Sequence, residues 1–498
     1  MRQTLTRSLP LGLLVSFALA ACSGDSGNED DSTSASASVT VTASITATGT
    51  TTMGTTSVTG GSTSSTTAEK FDLGDDTIPG CSGDGACNLL DILFVIDNSG
   101  SMGEEQSNLA ANFPLLVERL GELKDSKGKL ISADINMMVT TSDMGHPACA
   151  PFNKPDYSAA KGAPQNIPCS SQLDRFTSLD GKKSIPEVCT NACPNGVAPM
   201  GPYIHYKVNG ASNVAGDDIS GALSCIGLQG IDGCGYEAQL ESMMQALNPS
   251  AEWNKGASPF LRDGAVLAVV IVTDEADCSV LAPAGYDYFD DKNADNPGFN
   301  QYWATDPKDQ KKKVTSSVCW NGGVNCIDGD NDGVYENCSS SDKGVLHPTT
   351  DRYIKFLRDV LLVSEKKEVL MLGILGIPIV TAHNDKPPYE PTAGGVKDLV
   401  YRQWKDGAYP AGDILPGDSG TAASKQFEFG IGPGCTGQDM QGNFTGQAIP
   451  PVRIKEVCES LNAQDRIRCC MESICDDDFS PAIECLSGLL QETFAPTG

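Results

Sequence analysis

"LLDILFVIDNSGSMGEEQ", residues 89–106, decides how the rest of the chain is read. Its first eight residues form a near-continuous apolar run of strand length, without the alternation of a half-exposed strand. Strands buried on both faces read this way, as a parallel sheet requires. The run ends in Asp97, Ser99 and Ser101, oxygen-bearing side chains at alternate positions, with Gly100 permitting a sharp turn. In an open parallel sheet, ligands bind beyond the carboxyl ends of strands. A carboxylate and two hydroxyls so placed can curl around one hard cation, Mg²⁺ or Ca²⁺. Because hydroxyls are neutral, that cation keeps its pull on an acidic group of another molecule.

Three more runs share the pattern: "ADINMMVTT" (133–141), "AVLAVVIVT" (265–273) and "EVLMLGILGI" (368–377). Helical spacing lies between them, with Leu109, Phe113, Leu116 and Leu120 on one face of 104–120. Leu240, Met243, Met244 and Leu247 share a face of 236–247, and Tyr353, Leu357, Val360 and Leu361 a face of 350–363. Strand and helix alternate, so the expected class is α/β, a doubly wound, mostly parallel sheet. Pro114 should kink or split the first helix. Long insertions follow the strands at about 144–232, 275–348 and 378–450, all leaving strand carboxyl ends. They read either as a disulfide-stapled crown deciding what reaches the cation, or as plain surface loops.

The Asp-x-Ser-x-Ser of 97–101, together with Thr273-Asp274 at the end of another apolar strand, resembles the metal-ion-dependent adhesion site of von Willebrand factor type A domains. The resemblance covers about residues 88–385, with a final helix near 450–462. It implies Asp97, Ser99 and Ser101 as metal ligands, with Asp274 reaching the ion through water. Where that family has a metal-binding Thr, this chain reads "GCGYEAQLESMMQAL" (233–247), and Glu237 is the best-placed oxygen. Glu237 either ligates the ion or caps the helix that follows, where negative charge is favourable. The family's frequent Asp-Gly is Asp274-Glu275 here, so the choice between Mg²⁺ and Ca²⁺ does not carry over.

A second acidic stretch, "CIDGDNDGVYENC" (326–338), matches the start of a calcium loop. Asp328, Asp330 and Asp332 would bind Ca²⁺, with a Val334 carbonyl and a Glu336 oxygen. Position twelve is Ser339, so the bidentate Glu of an EF-hand is missing. The alternative is an acidic turn clamped by Cys326 and Cys338.

Residues 1–21 read as a lipoprotein signal peptide: Arg2 and Arg7 precede an apolar stretch too short to span a bilayer. Leu19-Ala20-Ala21-Cys22 resembles a lipobox, which implies lipidation of Cys22 and a membrane anchor in a bacterial cell envelope, outer membrane or cell surface favoured. Residues 22–70, rich in Ser and Thr, read as a flexible tether spanning roughly 35–40 Å. The von Willebrand factor A-like body is expected over 71–450 and a Cys-rich helical segment over 451–498.

With Cys22 set aside, the other cysteines fall into even local groups, as disulfides in an oxidising compartment would. Bridges should therefore form mostly within groups, including Cys81–Cys87 and Cys326–Cys338. Adjacent Cys469 and Cys470 should find separate partners. Zinc would lean on Cys189 and Cys193 or on that adjacent pair, but none of the 4 His lies close by.

A net charge of −29 disfavours nucleic acid as a partner and favours cations. "IVTAHN" (379–384) and "PGDSGTA" (416–422) echo serine-protease fragments, but His383 and Ser419 are too close in sequence for that fold. No phosphate loop, dinucleotide fingerprint or zinc-protease helix occurs. The expectation is a non-enzymatic, membrane-anchored binding protein that uses a divalent cation to engage an acidic group on a protein or polysaccharide. The alternative is a structural or assembly subunit of an envelope complex, in which the metal only stabilises its loop.

Overall fold

The computed structural model describes residues 88–438 and 442–495. The expected signal peptide, Cys22 lipidation, tether and Cys81–Cys87 bridge lie outside the described residues. The centre is a six-stranded sheet built from β1 (Leu89–Ile96), β2 (Asp134–Thr141), β3 (Ile204–Lys207), β4 (Val266–Val272), β5 (Val369–Leu375) and β6 (Cys469–Ser473). Their order is β6-β5-β4-β1-β2-β3, parallel throughout except for β3, which pairs antiparallel with β2.

Alternate residues of β1 pack on opposite sides, which is why no polar face shows in its sequence. Ile92, Phe94 and Ile96 meet α1 (Gly103–Gly121), α3 (Ile219–Gly227) and α8 (Ser480–Phe494). Leu93 and Val95 meet α4 (Gln239–Ala246), the π-wound helix Thr349–Ser364 and α7 (Val452–Glu459). Short helices α2 (Pro186–Ala192), α5 (Ser317–Gly323) and α6 (Ala422–Phe429) lie in the connections.

Several expectations are corrected. Of the kink or split expected at Pro114, the split does not occur, since α1 runs unbroken through it. Proline cannot donate to the Ala110 carbonyl, and the Ser224 hydroxyl of α3 donates to it instead, at 3.3 Å. The helix expected at 236–247 begins at Gln239. The helix expected over 350–363 is π-wound: Thr349, Tyr353, Leu357 and Leu361 are buried at every fourth position, and Val360 turns half outward. The segment 144–232 is not all insertion, because it supplies β3 and α3. The segment 451–498 is not all helix, because it supplies β6.

Eight disulfides join described residues, all within the expected groups: Cys149–Cys234, Cys169–Cys189, Cys193–Cys225, Cys278–Cys319, Cys326–Cys338, Cys435–Cys475, Cys458–Cys469 and Cys470–Cys485. Cys469 and Cys470 part company as expected. The thiols a zinc site would need are taken up by these bridges. Among the described residues, no helix is long and apolar enough to cross a membrane.

Candidate metal centre

In this strand order the connections reverse direction between β1 and β4, and the carboxyl ends of those two strands flank a crevice. Asp97 follows β1 and Asp274 follows β4, so both stand at that reversal. The Asp97 N–H donates to the Val272 carbonyl at 3.0 Å, which continues the β1–β4 ladder to the site itself.

Asp97 is fully buried and held on every side. Its Oδ1 accepts the Ser99 N–H at 2.8 Å, its Oδ2 accepts the Thr273 hydroxyl at 2.6 Å, and its carbonyl accepts the Gln106 amide at 2.9 Å. Gln239 Nε2 in turn donates to Thr273 Oγ1 at 2.7 Å. Ser99 Oγ lies 3.1 Å from Ser101 Oγ, with Ser101 exposed at the rim. The alternating oxygens read from the sequence thus form one turn with a fixed carboxylate at its root.

Glu237 is buried immediately ahead of α4, and its Oε1 has no hydrogen-bond partner. It does not cap that helix. The Leu240 N–H is taken by Asp277 Oδ1 at 3.0 Å and the Glu241 N–H by Ser279 Oγ at 2.9 Å, both from the connection after β4. Asp274 is likewise buried with Oδ1 unpartnered.

Two acids that sequence reasoning missed belong to the same cluster. Glu105, in the first turn of α1, has a buried, unpartnered Oε2, and Glu275 follows Asp274 directly. The signal was present: both acids sit within eight residues of an expected ligand. Burial raises the pKa of Asp97, Glu237, Asp274 and Glu275, and mutual repulsion raises the last three further. Burial, with Glu104 and Asp97 adding, pushes Glu105 up to about 7. No ion pair among the described residues includes any of these five acids. Buried carboxylates without a counter-charge cost several kcal/mol each unless they are neutralised or a cation joins them. Oxygen donors alone suit a hard ion such as Mg²⁺ or Ca²⁺, and in their chemistry the Asp97 carboxylate and the paired Ser99 and Ser101 hydroxyls fit one.

Access is unequal around the cluster. A cavity of about 420 Å³ lined by Gly100, Ser178, Lys182, Lys183, Gly233 and Gly235 opens beside exposed Ser101. Lys183 Nζ reaches the Ser101 carbonyl at 3.5 Å. On the other side the hairpin Cys435–Gln438/Phe444–Ala448 covers Glu105 and Asp274, leaving a cavity of about 10 Å³, and the adjoining Ile449 N–H donates to the Asp274 carbonyl at 2.7 Å.

The second expected site is a separate exposed turn. Among the described residues, Asp328, Asp330 and Asp332 are the acids whose oxygens gather within 4.8 Å of one another. The strand-end carboxylates do not meet that distance. Asp328 accepts the N–H groups of Asp332 and Gly333, both at 3.2 Å, and Asp332 accepts that of Val334 at 2.7 Å. Glu336 folds back to the Gly329 N–H at 3.1 Å. Val334 pairs with Arg402, and Cys326–Cys338 closes the base between Val324–Ile327 and Asn337–Ser340.

His383 Nε2 is bonded to Glu472 Oε1 on β6 at 2.9 Å, and Ser419 is exposed ahead of α6. No protein-family model matches the chain, and no curated protein does either.

Proposed function

We propose that this chain is a von Willebrand factor A-like binding protein, tethered by lipid on Cys22 to a bacterial envelope membrane. In this reading a Mg²⁺ or Ca²⁺ ion held by Asp97, Ser99 and Ser101 engages an acidic group on a protein or polysaccharide. Asp274 would act through water, and Glu237, now free of any capping role, would bind the ion directly. The observation that carries the reading is a set of three buried acids, Asp97, Glu237 and Asp274, flanked by half-buried Glu105 and Glu275, none with an ion-pair partner, at the β1–β4 crevice beside a Ser-rich turn with one exposed edge. The open cavity at that edge supports an acidic ligand, because Lys183 would add a second positive contact beside the ion.

The hairpin over Glu105 and Asp274 favours a second reading, in which the ion is sealed in and only stiffens a docking surface of an envelope assembly. One experiment separates the two. Capture of a partner from envelope extract by the soluble body is measured with and without chelator, alongside calorimetric binding of Mg²⁺ and Ca²⁺. Adhesion requires capture to fail when the metal is removed. Metal binding with chelator-insensitive capture supports the assembly reading, and no metal binding defeats both.

A further inference from the structure

A second cleft opens between the connections that follow β2 and β4. It has a volume of about 560 Å³, and its lining includes His146, Phe152, Tyr286, Phe289, Asp287 and Asp291. The ring of His146 is the hub of its wall: Tyr236 stacks at 4.4 Å, while Tyr286 and Phe289 stand edge-on at 5.0 and 4.7 Å. The Cys149–Cys234 bridge staples this wall, and Tyr236 adjoins Glu237 in the chain.

Three features at the cleft point to a ligand. His146 is 5% exposed, and its Nδ1 accepts the Ala148 N–H at 3.2 Å, so in the neutral ring the proton sits on Nε2, which has no partner. Burial holds the imidazole near a pKa of about 4, so it stays neutral at pH 7. Phe152, at 68% exposed, presents an apolar ring to solvent at the edge of the cleft. Asp287, Asp290 and Asp291 face a single lining cation, Lys292, which lies 3.9 Å from Asp290.

We infer that this cleft binds a basic, extended segment of a partner protein, with an arginine or lysine side chain lying over the aromatic rings between the rim aspartates. Aromatic faces attract such cations, and partial desolvation strengthens the attraction. The charge of −29 over the whole chain draws a basic segment in from solution. Neutral oligosaccharide would also stack on aromatic rings, but it leaves the rim charge unanswered.

The probe is a dye-labelled glycine-arginine pentapeptide carrying two arginines, titrated into the soluble body and read by fluorescence anisotropy in physiological salt. Phe152→Ala leaves charge unchanged at an exposed position and should weaken binding about tenfold. Asp287→Asn with Asp291→Asn should weaken it at least as much, whereas Asp342→Asn, an exposed acid outside the cleft, should leave it unchanged. Chelator should have no effect, which keeps this result separate from the fate of the metal reading. Equal losses for Phe152→Ala and Asp342→Asn, or no loss with Phe152→Ala, would overturn the inference. So would binding of a neutral oligosaccharide in place of the peptide.

Discussion

At the scale of single residues, Asp97 is a buried structural tie as well as the proposed metal ligand, and its replacement tests the two roles separately. Asp97→Ala removes a buried charge but also strands the Thr273 hydroxyl and the Ser99 N–H that bond to it. Lost hydrogen bonds of this kind cost about 1–3 kcal/mol, partly offset by relief of repulsion from Glu237 and Asp274. The expected outcome is a folded protein by circular dichroism that binds no metal at the strand-end site in calorimetry. Ser99→Ala and Ser101→Ala should only weaken binding, because a neutral ligand is lost. His146 carries a pH signature of its own. Burial holds its folded pKa at about 4 against 6.5 for a free imidazole, so between these values the unfolded chain takes up a proton that the folded chain refuses. Stability from this group is complete above about pH 6.5 and drains away as pH falls toward 4, by at most about 3 kcal/mol. Thermal melts at pH 7.5 and 5.0 should show a smaller drop for His146→Phe than for the native chain.

At the scale of elements, the strands that could be read from sequence are those built around a run of apolar residues. β1, β4 and β5 are almost wholly apolar because helices cover both faces, and so short an apolar run, seven or eight residues between polar turns, suits a doubly covered strand better than a helix, whereas β2, "DINMMVTT", is half polar and shows itself only by its central Met137–Val139. β3 is four residues long at the sheet edge, with alternating burial, too short to stand out. β6 reads "CCMES", with no apolar run to mark it, and it is held by two disulfides, by His383 on Glu472, and by the Ser473 hydroxyl donating to the Ile377 carbonyl. The same logic divides the site. Asp97, Ser99 and Ser101 are legible because they are spaced along one turn, whereas Glu105 joins the cluster only through the position of α1. The hairpin over the site owes its placement to the Cys435–Cys475 bridge and the Ile449–Asp274 bond. Replacing Cys435 and Cys475 together by Ser removes a crosslink across 40 residues of sequence, worth about 3–4 kcal/mol in the chain-entropy account. The variant should melt earlier and release bound metal faster in a stopped-flow chelator chase. An unchanged release rate would mean that the hairpin does not gate the ion.

At the scale of the whole molecule, a cation that binds only the folded state must stabilise all of it. A concentration 100 times the dissociation constant adds about 2.7 kcal/mol. Calorimetric melts in chelator and in rising Mg²⁺ or Ca²⁺ should therefore show Tm climbing with the logarithm of concentration. Asp97→Ala should abolish the strand-end component, while Asp330→Ala should remove only what the exposed Asp328–Asp332 turn contributes. No shift with either ion up to millimolar concentration would remove both sites from consideration. The paired cysteines of β6 set how the body bears load. Neighbouring strand residues point to opposite faces, so Cys470 is riveted to α8 on one side of the sheet and Cys469 to α7 on the other. An ordinary edge strand pulled from its end peels away one backbone pair at a time. Here tension entering through α8 passes across Cys485–Cys470 straight into the sheet, and the chain from Cys458 to Cys485 adds little slack until a sulfur bond is broken. A pull on α8 is thus borne by covalent bonds on both faces of the edge strand before any backbone pair of the sheet is tested.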